Sequence, residues 1–458
     1  MSHRFQLWSQ KTQKAFKRAL YGRNQRRESG SRQFELLIIT QFFPPDYAAT
    51  GQLIYELSHQ LSEQKIEVNI FTGQPGYAYQ QKQAPKLETD RQVKIRRATF
   101  KQFSSQRIRN KSLNGAIFTL RAIWYLLKHS RRYDAVILTT APPFLATVGY
   151  LVSLVSKLDY ICLVYDLYPQ VVVELGVISP QNAIAKLWHQ INAAVWQRSK
   201  AIVVLSETMK QRIVLRHPAI ADKVSVIHNW ADPNWIEPLP KAKNWFVQQH
   251  QLHDKFTVLY SGNLGHCHDL DTILDAAILL RAEEIQFVFI GAGAKYEQCR
   301  EIVAQSQLDN CLFLPYQERS NLPYSLTACD LALVSIAPGL EGVVAPSKVY
   351  GMMAAGKAIA AICEPHSYLR QLITAAHCGV AVDNQQSQQL AEFILTLAAD
   401  RHLAENMGNA GRNYLQQHFT PQLIAQKYCE VLGVNIEKSN QSDRHILYGM
   451  VENQPTAR

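Results

Sequence analysis

The chain has 458 residues, too many for one ordinary domain and about right for two or three. Hydrophobic residues make up 47% and charged residues 19%, a globular balance that excludes a disordered or fibrous chain and leaves ample material for large cores. Lys and Arg outnumber Asp and Glu by 48 to 37, a net charge of +11 that favours anionic partners: nucleic acid, an acidic membrane surface or phosphorylated substrates.

Residues 1–33 are basic and polar. Trp8, Thr12, Ala15, Phe16, Ala19 and Leu20 recur there at helical spacing, with Lys11, Lys14, Lys17 and Arg18 between them. The pattern fits a membrane-surface helix, a helix docked on the protein body or a disordered tail. The N-terminus lacks the apolar core of a signal peptide. Eight cysteines form no C-x-x-C pair and sit mostly in apolar runs, which argues against a zinc site or a disulfide framework. Reduced thiols fit a cytoplasmic chain.

From Phe34 onward, short β-branched runs alternate with longer amphipathic ones. The spacing predicts strands at Leu36–Thr40, Val68–Thr72, Ala135–Thr139, Tyr160–Val164, Ala201–Leu205 and Val224–Ile227. Helical patterns cover Gln52–Glu63, Ser112–His129 and Ile184–Arg198. Such alternation implies a parallel sheet covered on both faces. The most apolar window, Phe144–Ser156, is shorter than the roughly 20 residues of a membrane span and reads as a buried helix feeding a buried strand. A stretch from His228 to Leu252, with Pro233, Pro238, Pro240 and three tryptophans, reads as a linker. Strands then restart at Thr257–Ser261, Gln286–Gly291, Cys311–Leu314, Leu331–Ser335, Ile359–Ala361 and Gly379–Val382. Two doubly wound domains with a cleft between them follow, and ligands in such sheets bind beyond the carboxyl ends of the strands.

Four loops after predicted strands carry the chemistry. In QFFPPDYAATGQ, Gly51 stands at a helix start, where free N–H groups suit an anion or glycine simply caps the helix. In SGNLGHCHDLD, Gly262 and Gly265 bracket Asn263 as in a phosphate-binding turn, with His266 and His268 as further donors or as plain surface residues. In FVFIGAGAKYEQ, Gly291 and Gly293 open a tight strand-to-helix turn, but Tyr296 occupies the third glycine position of a dinucleotide fingerprint. In EGVVAPSKVYGMMAAGK, Ser347 is placed as a helix N-cap and Gly356 as a left-handed C-cap. The Lys348 ammonium with the helix-start amides suits a diphosphate, and a nearby Glu341 suits hydroxyls. Together they point to a nucleotide-sugar.

These loops, with Asp166-Leu167-Tyr168-Pro169 and Pro346-Ser347-Lys348, resemble glycosyltransferase family 4, in the subgroup of a colanic acid transferase. The likeness spans roughly residues 34–435. It implies the GT-B fold: α/β, two Rossmann-like doubly wound parallel-sheet domains facing a central cleft. It further implies an acceptor domain at 34–228, completed by a C-terminal helix at 412–435. A donor domain occupies 229–411, and a polar tail follows at 436–458. The implied reaction is retaining transfer of a sugar from a nucleoside-diphosphate donor. The implied catalytic residues are Asp166, near a position where the family often has His, and Glu341. The family's Glu-x7-Glu motif is altered: its second Glu falls on Gly351, and Glu341 lies two positions before the first. Gly51 matches the second glycine of a loop that faces the donor phosphate. Asn263 stands where many members carry Arg, and Lys348 supplies that charge.

The expected partners are a nucleotide-sugar donor and a saccharide or lipid-linked saccharide acceptor, with peripheral contact on an anionic membrane at the inner face. Arg96, Arg97, Lys101, Arg107, Arg109 and Lys111 form a basic stretch suited to a lipid diphosphate, or else a solvated loop. No organic cofactor is expected, and no metal, since no clustered ligands are evident; nucleic acid is not expected either, since no binding module or aromatic–basic interleaving is evident. The alternatives are a nucleotide-sugar epimerase of the same fold and a sugar-binding protein that has lost catalysis.

Overall fold

A computed structural model describes residues 33–46, 48–76, 84–99 and 108–434, the side chains at 108, 109 and 111 excepted. The basic helix around Trp8, Lys101, Arg107 and the tail after 434 lie outside the described residues. The first sheet comprises β1 Glu35–Ile39, β2 Glu67–Thr72, β3 Leu87–Asp90, β4 Val93–Arg97, β5 Ala135–Thr139, β6 Asp159–Val164, β7 Ala201–Val204 and β8 Val224–Val226. Their order is β3-β4-β2-β1-β5-β6-β7-β8, parallel except for the β3–β4 hairpin. The central strands are apolar on both sides because helices cover both faces. Thus Leu36–Ile39 are fully buried between Val68–Phe71 and Ala135–Leu138.

The second sheet comprises β9 Phe256–Ser261, β10 Ile285–Ile290, β11 Cys311–Leu314, β12 Leu331–Ser335, β13 Ala358–Ile362 and β14 Gly379–Val382, ordered β11-β10-β9-β12-β13-β14. Helices of the first domain are α1 Ala49–Glu63, α2 Ile108–His129, α3 Ala146–Ser153, α4 Gln170–Glu174, α5 Ala183–Arg198 and α6 Glu207–Arg216. Those of the second are α7 Trp245–Gln249, α8 Asp271–Leu279, α9 Tyr296–Gln305, α10 Leu322–Thr327, α11 Lys348–Ala354, α12 Tyr368–Ala376, α13 Ser387–Ala399 and α14 Arg401–His418. The last helix, α15 Pro421–Leu432, packs on α1.

Three expectations change. Arg96 and Arg97 belong to a strand, not a loop: β4 pairs with β2, and Arg97 is buried, donating to the Pro44 carbonyl at 2.8 Å and to Glu88 at 3.0 Å. The return to the first domain starts at Thr420 rather than 412. There the Thr420 hydroxyl caps α15 through the Leu423 amide and Pro421 opens the helix, while α14 stays packed on α11 and β13. The helix of the Phe144–Ser156 window, α3, is buried on one side only. Leu151, Leu154 and Val155 are exposed.

The domains meet on both sides of the cleft. The Leu167 amide donates to the Val343 carbonyl at 2.9 Å. Across the opening, Arg319 donates to Glu56 at 2.6 Å and Gln52 at 3.1 Å, and lies 4.4 Å from the Trp235 ring. Gly356 ends α11 at φ +65°, as the C-cap reading expects, and the close approach of Gly408 on α14 depends on its missing Cβ.

Two helical glycines should therefore respond oppositely to Ala. At Gly351 an added Cβ meets only Leu326 at 3.4 Å, so Gly351→Ala should stabilise by about 0.5–1 kcal/mol through helix propensity. At Gly408 it would lie 2.0 Å from the Gly356 carbonyl oxygen, so Gly408→Ala should destabilise by about 2–3 kcal/mol. Urea unfolding of the two variants measures both signs.

Candidate active site

The carboxyl ends of both sheets face a cavity of about 1300 Å³ between the domains. From the first domain come the residues after β1, β5 and β6, including Asp166; from the second come Gly262, Asn263, Ser347, Lys348 and Gly351. This placement follows from parallel topology, because every strand-to-helix loop emerges at the same end.

Lys348 is the first residue of α11. Its Nζ is sealed from solvent, has no hydrogen-bond partner, and lies 3.7 Å from the centre of the Tyr260 ring beside Gly262. Burial holds its pKa well below the usual lysine range. Ser347 precedes the helix without capping it through its hydroxyl and lines the cavity. A buried amine lacking a counter-charge at a cavity wall is suited to pairing with an anion.

Asp166 follows β6. Its amide and that of Tyr165 donate to the Thr140 hydroxyl at 3.3 and 3.1 Å, which fixes the turn. Burial pushes the Asp166 carboxyl up to about 6. It reaches the same cavity as Lys348 from the opposite domain.

The structure does not bring the other predicted site residues to the cavity wall. Gly51 lets α1 pack on the Phe42–Phe43 backbone, where a Cβ would meet Phe42 at 3.0 Å. Gly291, at φ +140°, admits the Gly262 carbonyl, and Gly293 admits Leu264. Gly265 accommodates the Asn263 side chain. These glycines interlock the β9–α8 and β10–α9 loops, and the Gly262 amide is used on the Ile290 carbonyl at 2.8 Å. His268 is buried with Nδ1 2.9 Å from the Ser335 carbonyl, and burial pushes its pKa down to about 3. Glu341 is buried on the far side of its loop. Its Oε1 accepts from the Thr208 hydroxyl of α6 at 2.6 Å and the Tyr368 amide at 3.2 Å, a strut between domains. Of Asp269 and Asp271, an acid pair two residues apart that sequence reading passed over, Asp269 accepts from the Thr272 amide and hydroxyl at the start of α8 and Asp271 pairs with Lys295. Among the described residues no group of three or more His, Cys, Asp or Glu side chains is placed to hold a metal.

Sequence reasoning also missed Arg319, Glu56, Trp188 and Tyr316, which line the cavity without any motif. Among the described residues the cleft thus brings together a buried amine without a hydrogen-bond partner, an acid of raised pKa and aromatic walls.

Residues 50–235 match the model of Glycosyltransferase Family 4, and residues 242–414 that of Glycosyl transferases group 1. The chain is a glycosyltransferase built from a family 4 domain and a group 1 domain. WbjE of Pseudomonas aeruginosa, named as a glycosyltransferase, is 26% identical over 309 residues, 66% of this chain and 75% of that one. WcaI of Escherichia coli strain K12, named for colanic acid biosynthesis, is 29% identical over 173 residues, 37% of this chain and 42% of that one. Among solved structures, sucrose-phosphate synthase of Thermosynechococcus elongatus superposes with a TM-score of 0.69 at 16% identity, covering 87% of this chain and 98% of that one. The lipopolysaccharide glycosyltransferase WaaG gives 0.66 at 13% identity, covering 87% and 100%. Anabaena HepE, solved with UDP and glucose, gives 0.66 at 16%, covering 87% and 99%. These likenesses show the GT-B fold.

The transferase should depend on an ionised Asp166. Transfer rate should fall below pH 6, and Asp166→Asn should remove that limb and lower kcat by about 10²–10⁴-fold. The raised pKa means the folded state binds the extra proton, so the burial cost is absent below about pH 3.8 and grows as pH rises to about 6. Asp166→Asn should then raise Tm at pH 7. A pH–rate profile and a melting curve check the two effects.

Proposed function

We propose that this chain moves a hexosyl unit from a nucleoside-diphosphate sugar to a saccharide acceptor carried on a lipid, with retention at the anomeric carbon, in polysaccharide assembly. The observation that carries the donor half is Lys348: an unpaired, buried amine at the cleft wall. The leaving group is a diphosphate, and charge builds on it as the bond to the anomeric carbon breaks. A fixed ammonium in a site of low dielectric stabilises that charge more than water does. The acceptor oxygen forms the new bond, and its proton passes to the departing phosphate oxygen. Asp166, across the cavity, holds the acceptor hydroxyl or a hydroxyl of the transferred sugar. Closure of the two domains excludes water, which would otherwise compete as acceptor.

HepE has been solved with UDP-glucose, and the name of WcaI refers to colanic acid; both support a nucleotide-sugar donor and a polysaccharide product. Gly351 leaves space on α11 where the family's second Glu would stand. The donor ribose therefore takes its contacts from neighbouring groups of the second domain.

Thermal unfolding with a panel of nucleotide-sugars, UDP-hexoses first, tests the donor assignment. A true donor at about 100 Kd should stabilise the protein by about 2.7 kcal/mol by mass action. Lys348→Met should itself be at least as stable as the parent, because a buried unpaired charge is gone, yet should lose that ligand shift. An unchanged shift in Lys348→Met would remove the diphosphate assignment. Binding without transfer to any acceptor would favour a protein that has lost catalysis, and donor isomerisation without an acceptor would favour an epimerase. NMR of the product's anomeric proton reports retention or inversion.

A further inference from the structure

The helices α2, α3 and α5 lie side by side over one face of the first sheet, α3 between the other two. Their inner residues are buried, as packing requires. Their outer residues are apolar where a surface helix would normally be polar. On α2, Leu113, Leu120, Trp124 and Leu127 recur at helical spacing and are 45–66% exposed. At the end of α3, Leu151, Leu154 and Val155 are 45–74% exposed. Ile184 and Leu187 of α5 are exposed as well. Apolar residues clustered in this way mark an interaction surface.

Charge decides what the surface meets. None of the three helices contains an Asp or Glu. Arg121, Lys128, Lys157 and Lys186 are exposed on or beside them, and Asp134 is the one acid between Gln92 and Leu158 in the sequence. A two-fold contact through this face would set cations against cations. Apolar side chains rimmed by Lys and Arg suit an anionic bilayer, whose headgroups attract the cations and whose acyl boundary takes the Trp and Leu side chains.

The face is continuous with the cleft. Leu120 and Phe144 are both exposed and both line the cavity. The Phe144 ring stacks on Trp188 at 4.1 Å, and Trp188 stacks on Tyr168 at 5.7 Å, two residues beyond Asp166.

We infer that the α2–α3–α5 face seats the chain on an anionic lipid bilayer, and that the Phe144–Trp188–Tyr168 run leads a lipid-carried acceptor from that surface to Asp166. The second half rests on the transferase reading above.

Vesicle flotation of the full chain tests it, with phosphatidylglycerol–phosphatidylcholine vesicles against phosphatidylcholine alone at about 0.1 M salt, where exposed charges act within about 10 Å. The parent chain should float with the anionic vesicles only. A triple variant, Trp124→Ser with Leu154→Asp and Val155→Asp, changes exposed residues and should keep its Tm and its nucleotide-sugar binding. Its floated fraction should drop at least tenfold. Its turnover of a vesicle-borne acceptor should drop in parallel, while turnover of a water-soluble acceptor analogue stays unchanged. Flotation of the triple variant equal to the parent would overturn the inference and place the contact elsewhere, as in residues 1–33. A parent chain that stays soluble, or one that dimerises through this face on size exclusion, would overturn it too. Donor binding without flotation defeats only the membrane face; flotation without donor binding defeats the transferase reading and leaves the face standing.

Discussion

Lys348 sets the terms for the cleft. Its Nζ has no hydrogen-bond partner and lies over the face of Tyr260, beside Gly262. A ring face offsets only part of what desolvating an ammonium costs. In the proposed function the rest is recovered when the donor diphosphate arrives. The interlocked glycine loops hold Gly262 in place, α11 holds Lys348, and the strut through Glu341 fixes the loop before α11 against the first domain. On the proposed reading the donor site is organised before the donor binds, which is what stabilising a leaving group requires.

The two sheets are what bring chemistry from both halves together. Parallel strands deliver their loops to one end, and the paired domains turn those ends toward each other. Asp166 and Lys348, on opposite walls, are 182 residues apart in the sequence. Contacts on two sides, Leu167 with Val343 and Arg319 with Glu56, span the gap between domains. Any change in cleft width must break or remake them.

Much of the fold was legible because strands covered on both faces read as continuous apolar runs. Ala135–Thr139, Cys311–Leu314, Leu331–Ser335 and Gly379–Val382 appear as expected. The β3–β4 hairpin escaped notice because Leu87–Asp90 is a largely exposed edge with one apolar residue. The positions of Lys348, at a helix start, and of Asp166, after a strand, were legible, and both reach the cavity. The glycines were recognised as special, but their purpose was not. Gly291 serves the Gly262 carbonyl 29 residues away in sequence, a packing need that only the folded loops reveal. Glu341 lay near a family motif by position, yet its partner is Thr208, on a helix of the other domain. Arg319 and Glu56 meet across 263 residues without any local signal.

The central claim is that Lys348 receives the donor diphosphate. A crystal structure with a bound nucleoside diphosphate tests it most directly. The account predicts a phosphate oxygen within about 2.7–3.2 Å of Lys348 Nζ, drawn away from the Tyr260 ring. A diphosphate bound elsewhere in the cleft, with Nζ still unpaired against Tyr260, would contradict it.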